Sequence, residues 1–308
     1  MIRVRLVGNA GIGTQDHQRD MYRPAFERHP EFTVVEDDDA EVAAVAVALE
    51  ERADAIEREI KAGRHVLADK PLAATAAECE RIAQLAEEHG VVVVPAHHQR
   101  LGGALRSAKA AIRAGRVGLP WNVQCDFIVA GGDPAPSGLE LLNLGLYPID
   151  IVCDLLGLAV TRVQATGRPV WPDAHSQGRP RPGAGPLDTL LLDHEHGVTS
   201  TIVCGRVPAL RDVPPGGLAL HRYRISGSHG VLVVDATRPA LQVRTADRAG
   251  PAWTGSGTVD ALLDVLAAGV RTGRAELGPR DAARAQRVVE AALQSMTEGR
   301  GVMLDAVR

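Results

Sequence analysis

The stretch that most limits the possible folds is the amino terminus. Residues 2–7 alternate as a strand and run straight into Gly8-Asn9-Ala10-Gly11-Ile12-Gly13, and residues 16–29 then carry a helical pattern. Strand, glycine turn and helix in immediate succession are the context in which a G-x-G-x-x-G match gains meaning. Glycines let the backbone approach a pyrophosphate, which sits on the amides of a helix N-terminus. The middle glycine of that pattern is Ala10 here, whose methyl crowds the phosphate position. A plain tight turn would explain the same residues.

Residues 65–73, HVLADKPLA, add a second constraint. The short apolar run Val66-Leu67-Ala68, bounded by Gly63 and Pro71, reads as a buried strand of a parallel sheet. Pro71 fixes the turn that follows. Ligands of open α/β sheets bind outside the carboxyl ends of the strands, so Lys70 is expected to point into a cleft. Of the 34 basic residues only Lys61, Lys70 and Lys109 are lysines. A compact ammonium with a shiftable pKa suits donation to a substrate oxygen. A lysine solvated at the sheet rim is the plain alternative.

Between these stretches, residues 32–35 read as a strand ending at Glu36 and Asp37. An acidic residue about 20 positions past a glycine loop usually binds the adenosine ribose hydroxyls and favours NAD over NADP. The run 36–39, EDDD, also fits a solvated acidic turn. Residues 42–48 read as the next strand and 50–62 as a helix. A parallel crossover needs a dozen or more residues, and too few separate these strands. Either the sheet is trimmed at the edge that holds adenine, or 39–62 is one long helix.

Residues 77–89 form an amphipathic helix and 91–95 a four-valine strand, followed by His97-His98-Gln99-Arg100. Paired histidines suggest a metal, but adjacent side chains diverge and no further ligands cluster nearby; no metal is expected. Residues 105–114 form a helix closed by Gly115, where the first domain passes into the second.

In the second half, 119–129 is strand-like and residues 137–150, SGLELLNLGLYPID, run into a helix over 151–156. Asn143 and Tyr147 (i, i+4) and Tyr147 and Asp150 (i, i+3) share one face. A phenol beside an ammonium can have its pKa lowered and pass a proton; packing of an amphipathic helix explains Tyr147 equally well. From residue 161 onward short strands alternate with turns, at 162–166, 187–193, 199–203, 223–226, 231–235 and 241–244. They suggest an antiparallel sheet with a hairpin at Glu195-His196-Gly197. A Pro/Gly-rich loop spans 169–186, and helices over 259–269 and 280–298 close the chain.

Bulk properties exclude more than they identify. The chain has 308 residues, 45% hydrophobic and 23% charged, and a net charge of −4, which gives no reason to expect nucleic acid or anionic lipid as partner. Cys79, Cys125, Cys153 and Cys204 form no CxxC, as expected of reduced thiols in a cytoplasmic protein. No basic-then-apolar leader precedes the first strand, and no apolar run is long enough to span a membrane.

Taken together, these residues resemble the glucose–fructose oxidoreductase / inositol dehydrogenase (Gfo/Idh/MocA) family. Gly8–Gly13 stands where that family has its glycine loop, and Asp69-Lys70-Pro71 where it has Glu-Lys-Pro. Ala96–Arg100 resembles its Gly-His-Asn-x-Arg segment and Ser137–Asp150 its helix motif. Gly227–Leu232, Asp260–Gly273 and Glu298-Gly299-Arg300 also fit. Asn143 replaces the family's Asp, Tyr147 its His, and Ala48-Leu49-Glu50 its Thr-Pro-Asn.

The resemblance implies an α/β chain. A trimmed Rossmann-like parallel sheet (1–118) would precede an α+β domain with a large, mostly antiparallel sheet (119–308). It implies an NAD(P)-dependent oxidoreductase, NAD favoured, acting on a sugar, polyol or other small hydroxy or carbonyl compound. Lys70, Tyr147 and Asn143 would be catalytic. Gly8, Ala10, Gly11, Ile12, Gly13, Glu36, Asp37 and Lys70 would bind the cofactor, and His97, His98, Arg100 and Asp150 the substrate. It further implies a homodimer or homotetramer formed through the C-terminal sheet. The rival expectation is a descendant without hydride transfer: a lyase, isomerase or cyclase, or a catalytically silent relative.

Overall fold

A computed structural model describes residues 1–11, 16–36, 38–132, 140–167, 187–237, 241–244, 249–253 and 257–305. They form two compact units, Met1–Leu101 with Thr258–Arg287, and Gly102–Gly257 with Val288–Arg308.

The first unit is a parallel sheet of β1 (Ile2–Val7), β2 (Phe32–Val34), β3 (Val42–Val45), β4 (His65–Ala68) and β5 (Val93–Pro95), in the order β2-β1-β3-β4-β5. A π-helical turn, Gln18–Tyr22, runs into α1 (Arg23–Arg28) between β1 and β2. Next, α2 (Leu49–Lys61) links β3 to β4, and α3 (Ala76–His89) links β4 to β5. Local sequence sets the ends of α3. The Thr75 hydroxyl accepts from the Glu78 amide at 3.2 Å, the Glu78 carboxylate accepts from the Thr75 amide at 2.9 Å, and Gly90 closes the helix at φ +64°.

Each face of this sheet has its own apolar cluster. One gathers Val4, Phe32, Ala44, Leu67 and Val94 under Leu262, Leu263 and Leu266 of the helix Thr258–Thr272. The other gathers Ala43, Val45, Val66, Ala68 and Val93 under Ile56, Ile60, Cys79 and Ile82. Strands β3 to β5 read as unbroken apolar runs because both faces are covered. β1 alternates for the opposite reason. Val4 joins the first cluster, so Arg3 and Arg5 point to the other face. There, among the described residues, the second cluster takes nothing from β2 and only Val7 from β1.

That face is crossed by the short link from β2 to β3, residues 35–41. Arg5 pairs with Asp38 at 2.7 Å, Arg3 with Asp39 at 3.8 Å, and the Arg3 amide donates to Glu41 Oε2 at 3.1 Å. The two alternatives for this region are thereby decided. Residues 39–62 are not one helix, since β3 precedes α2; the sheet is trimmed, and its edge is β2. Two acidic residues of the EDDD run act as ion-pair tethers for the crossing.

The second unit is built on a mixed sheet. Its strands are β6 (Pro120–Ala130), β7 (Val160–Gly167), β8 (Leu187–His194), β9 (Thr199–Val207), β10 (Gly217–Gly227) and β11 (Gly230–Asp235). After the ribbon β12 (Leu241–Arg244) and β13 (Ala249–Trp253), β14 (Val302–Met303) completes the order β11-β10-β6-β9-β8-β7-β14. Among the described residues of this sheet, only β6 and β9 pair in parallel. The β8–β9 hairpin turns at His196 (φ 62°) and Gly197 (φ 75°), consecutive left-handed residues that suit the twist of the strands. α4 (Gly103–Arg113) and α5 (Leu146–Leu156) are tied by Lys109 to Asp154 at 2.5 Å.

The Pro/Gly-rich loop 169–186 lies outside the described residues. The four cysteines are free and buried, and burial pushes the Cys125 and Cys204 thiols up. Among the described residues no helix is long and apolar enough to cross a membrane.

Candidate active site

The sheet order of the first unit reverses at β1 and β3, so the crevice between their carboxyl ends is where a doubly wound fold binds its ligand. Gly8 leaves β1 there with φ +74°, and a Cβ on it would come within 2.5 Å of Val47 Cγ1 and 2.6 Å of the Ala46 carbonyl oxygen. Only glycine fits. The Ala10 amide donates to the Ala46 carbonyl at 2.8 Å, and Gln18 Nε2 donates to the Ala44 carbonyl at 2.5 Å. The turn and the helix start are thus pinned across the switch point. Gly11 backs onto the His17 ring, which an added Cβ would meet at 2.9 Å.

The Lys70 turn is held from beneath. Asp69, fully buried, accepts from His17 Nδ1 at 2.9 Å and from Tyr22 Oη at 2.7 Å, and Arg52 lies 3.4 Å away. Burial pushes the Asp69 carboxyl up. The His17 hydrogen bond and the charges of Arg52, His17 and Lys70 outweigh it and hold the pKa at about 2. Arg52 is itself fully buried and donates to the Val47 carbonyl at 2.8 Å and the Pro71 carbonyl at 2.6 Å. The Lys70–Pro71 peptide is cis. Lys70 is 4% exposed, so it is no lysine solvated at the rim.

After β5, His97 and His98 are both buried. His98 Nδ1 lies 2.6 Å from the Thr258 hydroxyl; burial first, then the Lys70 charge, lowers its pKa to about 3, which keeps the ring neutral. Arg100 donates to the Glu276 carbonyl at 3.1 Å and pairs with Asp281 at 3.3 Å, which ties the 3₁₀ turn His98–Leu101 to residues 276–281. Glu36 stands exposed, 3.8 Å from Arg23. Ile12, Gly13 and Asp37 lie outside the described residues.

In the second unit, a π-helical turn, Leu141–Gly145, leads into α5 and carries Asn143, with Tyr147 and Asp150 one and two turns on, all three buried. The Tyr147 ring lies 5.7 Å from that of Phe127, which in turn meets the His221 ring edge-on at 5.0 Å. Asn143 Nδ2 donates to Glu140 Oε2 at 3.4 Å, and Glu140 Oε1 accepts from Arg206 Nε at 2.7 Å. Asp188 adds a second carboxyl beside Glu140; burial and then the Glu140 charge raise its pKa to about 6.

Sequence reading missed Arg52, His17, Glu140, Arg206 and Asp188. Arg52 had left a signal, since it shares a helix face with Ile56 and Ile60 at i+4 and i+8. Glu140 and Arg206 meet across 66 positions and leave none.

A glycine turn at a switch point, with a buried lysine at the carboxyl end of β4, defines a dinucleotide-type α/β unit; the second unit is an α+β sheet domain. The comparisons agree. Residues 4–97 match the family model described as the oxidoreductase family with an NAD-binding Rossmann fold, and residues 105–233 match the GFO/IDH/MocA C-terminal domain. The chain belongs to this Gfo/Idh/MocA family.

Among curated proteins it is 28% identical, over 209 residues, to dTDP-3,4-didehydro-2,6-dideoxy-alpha-D-glucose 3-reductase of Streptomyces violaceoruber. That match spans 62% of this chain and 55% of the relative, little more than half its length. It is 27% identical to D-apiose dehydrogenase of Paraburkholderia graminis over 82% of this chain and 70% of that one. The fold matches the crystal structure of GenD2 from gentamicin A biosynthesis in complex with NAD. There the TM-score is 0.77 at 18% identity, over 99% of this chain and 97% of that one.

Proposed function

We propose that the chain is an NAD(P)-dependent oxidoreductase that acts on a sugar, polyol or other small hydroxy or carbonyl compound. The observation that carries this reading is Lys70, buried at the carboxyl end of β4 and braced through Asp69 by residues that adjoin the glycine turn. Its family membership and the sugar-directed names of its relatives support the reading.

The residues present fit a dinucleotide at the phosphate side, where Gly8, Ala10 and Gly11, with Ile12 and Gly13, would cradle the pyrophosphate. Glu36 and Asp37 would take the adenosine ribose hydroxyls and favour NAD. Bound nicotinamide supplies the hydride acceptor or donor; everything else falls to the chain. Lys70 would donate to the reacting oxygen and stabilise its developing negative charge. Tyr147 would pass the proton, and Asn143 would orient the hydroxyl. His97, His98, Arg100 and Asp150 would shape the substrate pocket.

Residues 1–118 would hold the cofactor, and 119–308 the substrate and a second copy of the chain. The large sheet suits self-association. Leu187 and Leu191 alternate with buried residues along β8, and with Val231 and Val233 of β11 they stay 40% or more exposed, a face that a homodimer or homotetramer would cover.

The test is turnover of NAD or NADP with a panel of aldoses and polyols, followed by absorbance of the reduced nicotinamide. Oxidation of at least one class is expected. No change in either direction with any of them would contradict the reading and leave a lyase, isomerase, cyclase or silent relative.

A further inference from the structure

The doubly wound dinucleotide fold is two mononucleotide-binding halves of three strands each, in the order 3-2-1-4-5-6. Here β3, β4 and β5 make one complete half, whereas the other has only β1 and β2. The missing piece is the helix and outermost strand that would follow β2. In its place residues 35–41 go directly from the end of β2 to the start of β3.

The sequence has adjusted to this shorter path. Arg3 and Arg5 occupy the strand positions that a covering helix would require to be apolar, and they pair with Asp39 and Asp38 on the crossing chain. The side chains of Asp38 and Asp39 are 92% and 84% exposed, so the crossing faces water. The bare face is a finished surface, not an apolar scar awaiting a partner. Beyond the carboxyl end of β2 a purine would meet, among the described residues, Glu36 and solvent, with no described outer strand or second helix to wall it in. Guanidinium groups such as Arg23, beside Glu36, can still stack on a base, but every base offers a π-face to them.

We propose that this chain binds a nicotinamide dinucleotide without enclosing its adenine, so that the base is read weakly and dinucleotides with another base are accepted almost as well. This rests on the dinucleotide reading above and adds a statement about which part of that ligand is recognised. The ribose and pyrophosphate keep their contacts; the purine loses its slot.

Calorimetric titration of the full chain with NADH and with the reduced hypoxanthine and cytosine dinucleotides tests it. Dissociation constants within about tenfold of one another, a spread of about 1.4 kcal/mol, are expected. In a complex with etheno-NAD, acrylamide should quench the ethenoadenine fluorescence nearly as well as in free etheno-NAD. Tight NADH binding with the cytosine analogue more than about tenfold weaker, or with shielded ethenoadenine, overturns this inference alone. Failure of NADH itself to bind removes the dinucleotide reading and this inference with it.

Discussion

His17 Nδ1 lies 2.9 Å from Asp69 Oδ2, which fastens the segment after the glycine turn to the residue before Lys70. The two parts of the chain expected to hold cofactor and reacting oxygen are therefore braced against each other, by this part-buried contact and by the buried one from Tyr22 to the same carboxylate. Tyr22 and Arg52 complete the set of donors around the same carboxylate. A site assembled this way transmits a change at Asp69 both to the loop and to the lysine.

Replacing Asp69 with Asn should destabilise the protein by about 3–5 kcal/mol, because the buried Arg52 loses its counter-charge. The native carboxyl titrates at about 2 instead of 3.8. A depressed folded pKa means stability that is present above about pH 4 and lost as the pH falls through 2, about 2 kcal/mol in all. Urea unfolding between pH 5 and pH 2 should show this acid limb in the wild type and not in Asp69→Asn. Equal slopes would contradict it.

Lys70→Met should lower turnover by about 10²–10³, the usual cost of removing a donor aimed at a developing oxyanion. Circular dichroism should show the fold retained. Unchanged turnover would remove Lys70 from the chemistry.

Tyr147→Phe keeps the ring against Phe127 and removes only the hydroxyl. A loss of about 10²–10⁴ in turnover is expected, with a stability cost of about 1 kcal/mol. Full activity in this variant would assign Tyr147 to packing alone.

Asp188 gives the opposite pH signature to Asp69. Its folded pKa is raised to about 6, so its contribution is fully present below about pH 4 and lost as the pH rises through 6. Asp188→Asn should therefore be more stable to urea than the wild type at pH 8, by about 3 kcal/mol, and the two should converge near pH 4. A pH-independent difference between them would show that the carboxyl is not the titrating group.

Much of the first unit was legible because its signals are local. Strand, glycine turn and helix follow one another within thirty residues, and the apolar runs of β3, β4 and β5 are continuous. Even the trimmed edge had left a trace, since the alternation of Arg3 and Arg5 with Val4 marks a strand covered on one face only. Which trimming it recorded became clear only from the sheet order. The second unit hid more. Glu140, just before the π-helical turn, joins Arg206 of β9 across 66 positions, and its charge acts on Asp188 of β8, relations between distant segments that no periodicity encodes. The two-residue strand β14 pairs with β7 by tertiary context alone.

Calorimetric titration of the intact protein with NADH and NADPH tests the account most directly. Saturable binding at micromolar concentration, tighter for NADH, is the predicted result. No heat of binding up to millimolar concentration would contradict it.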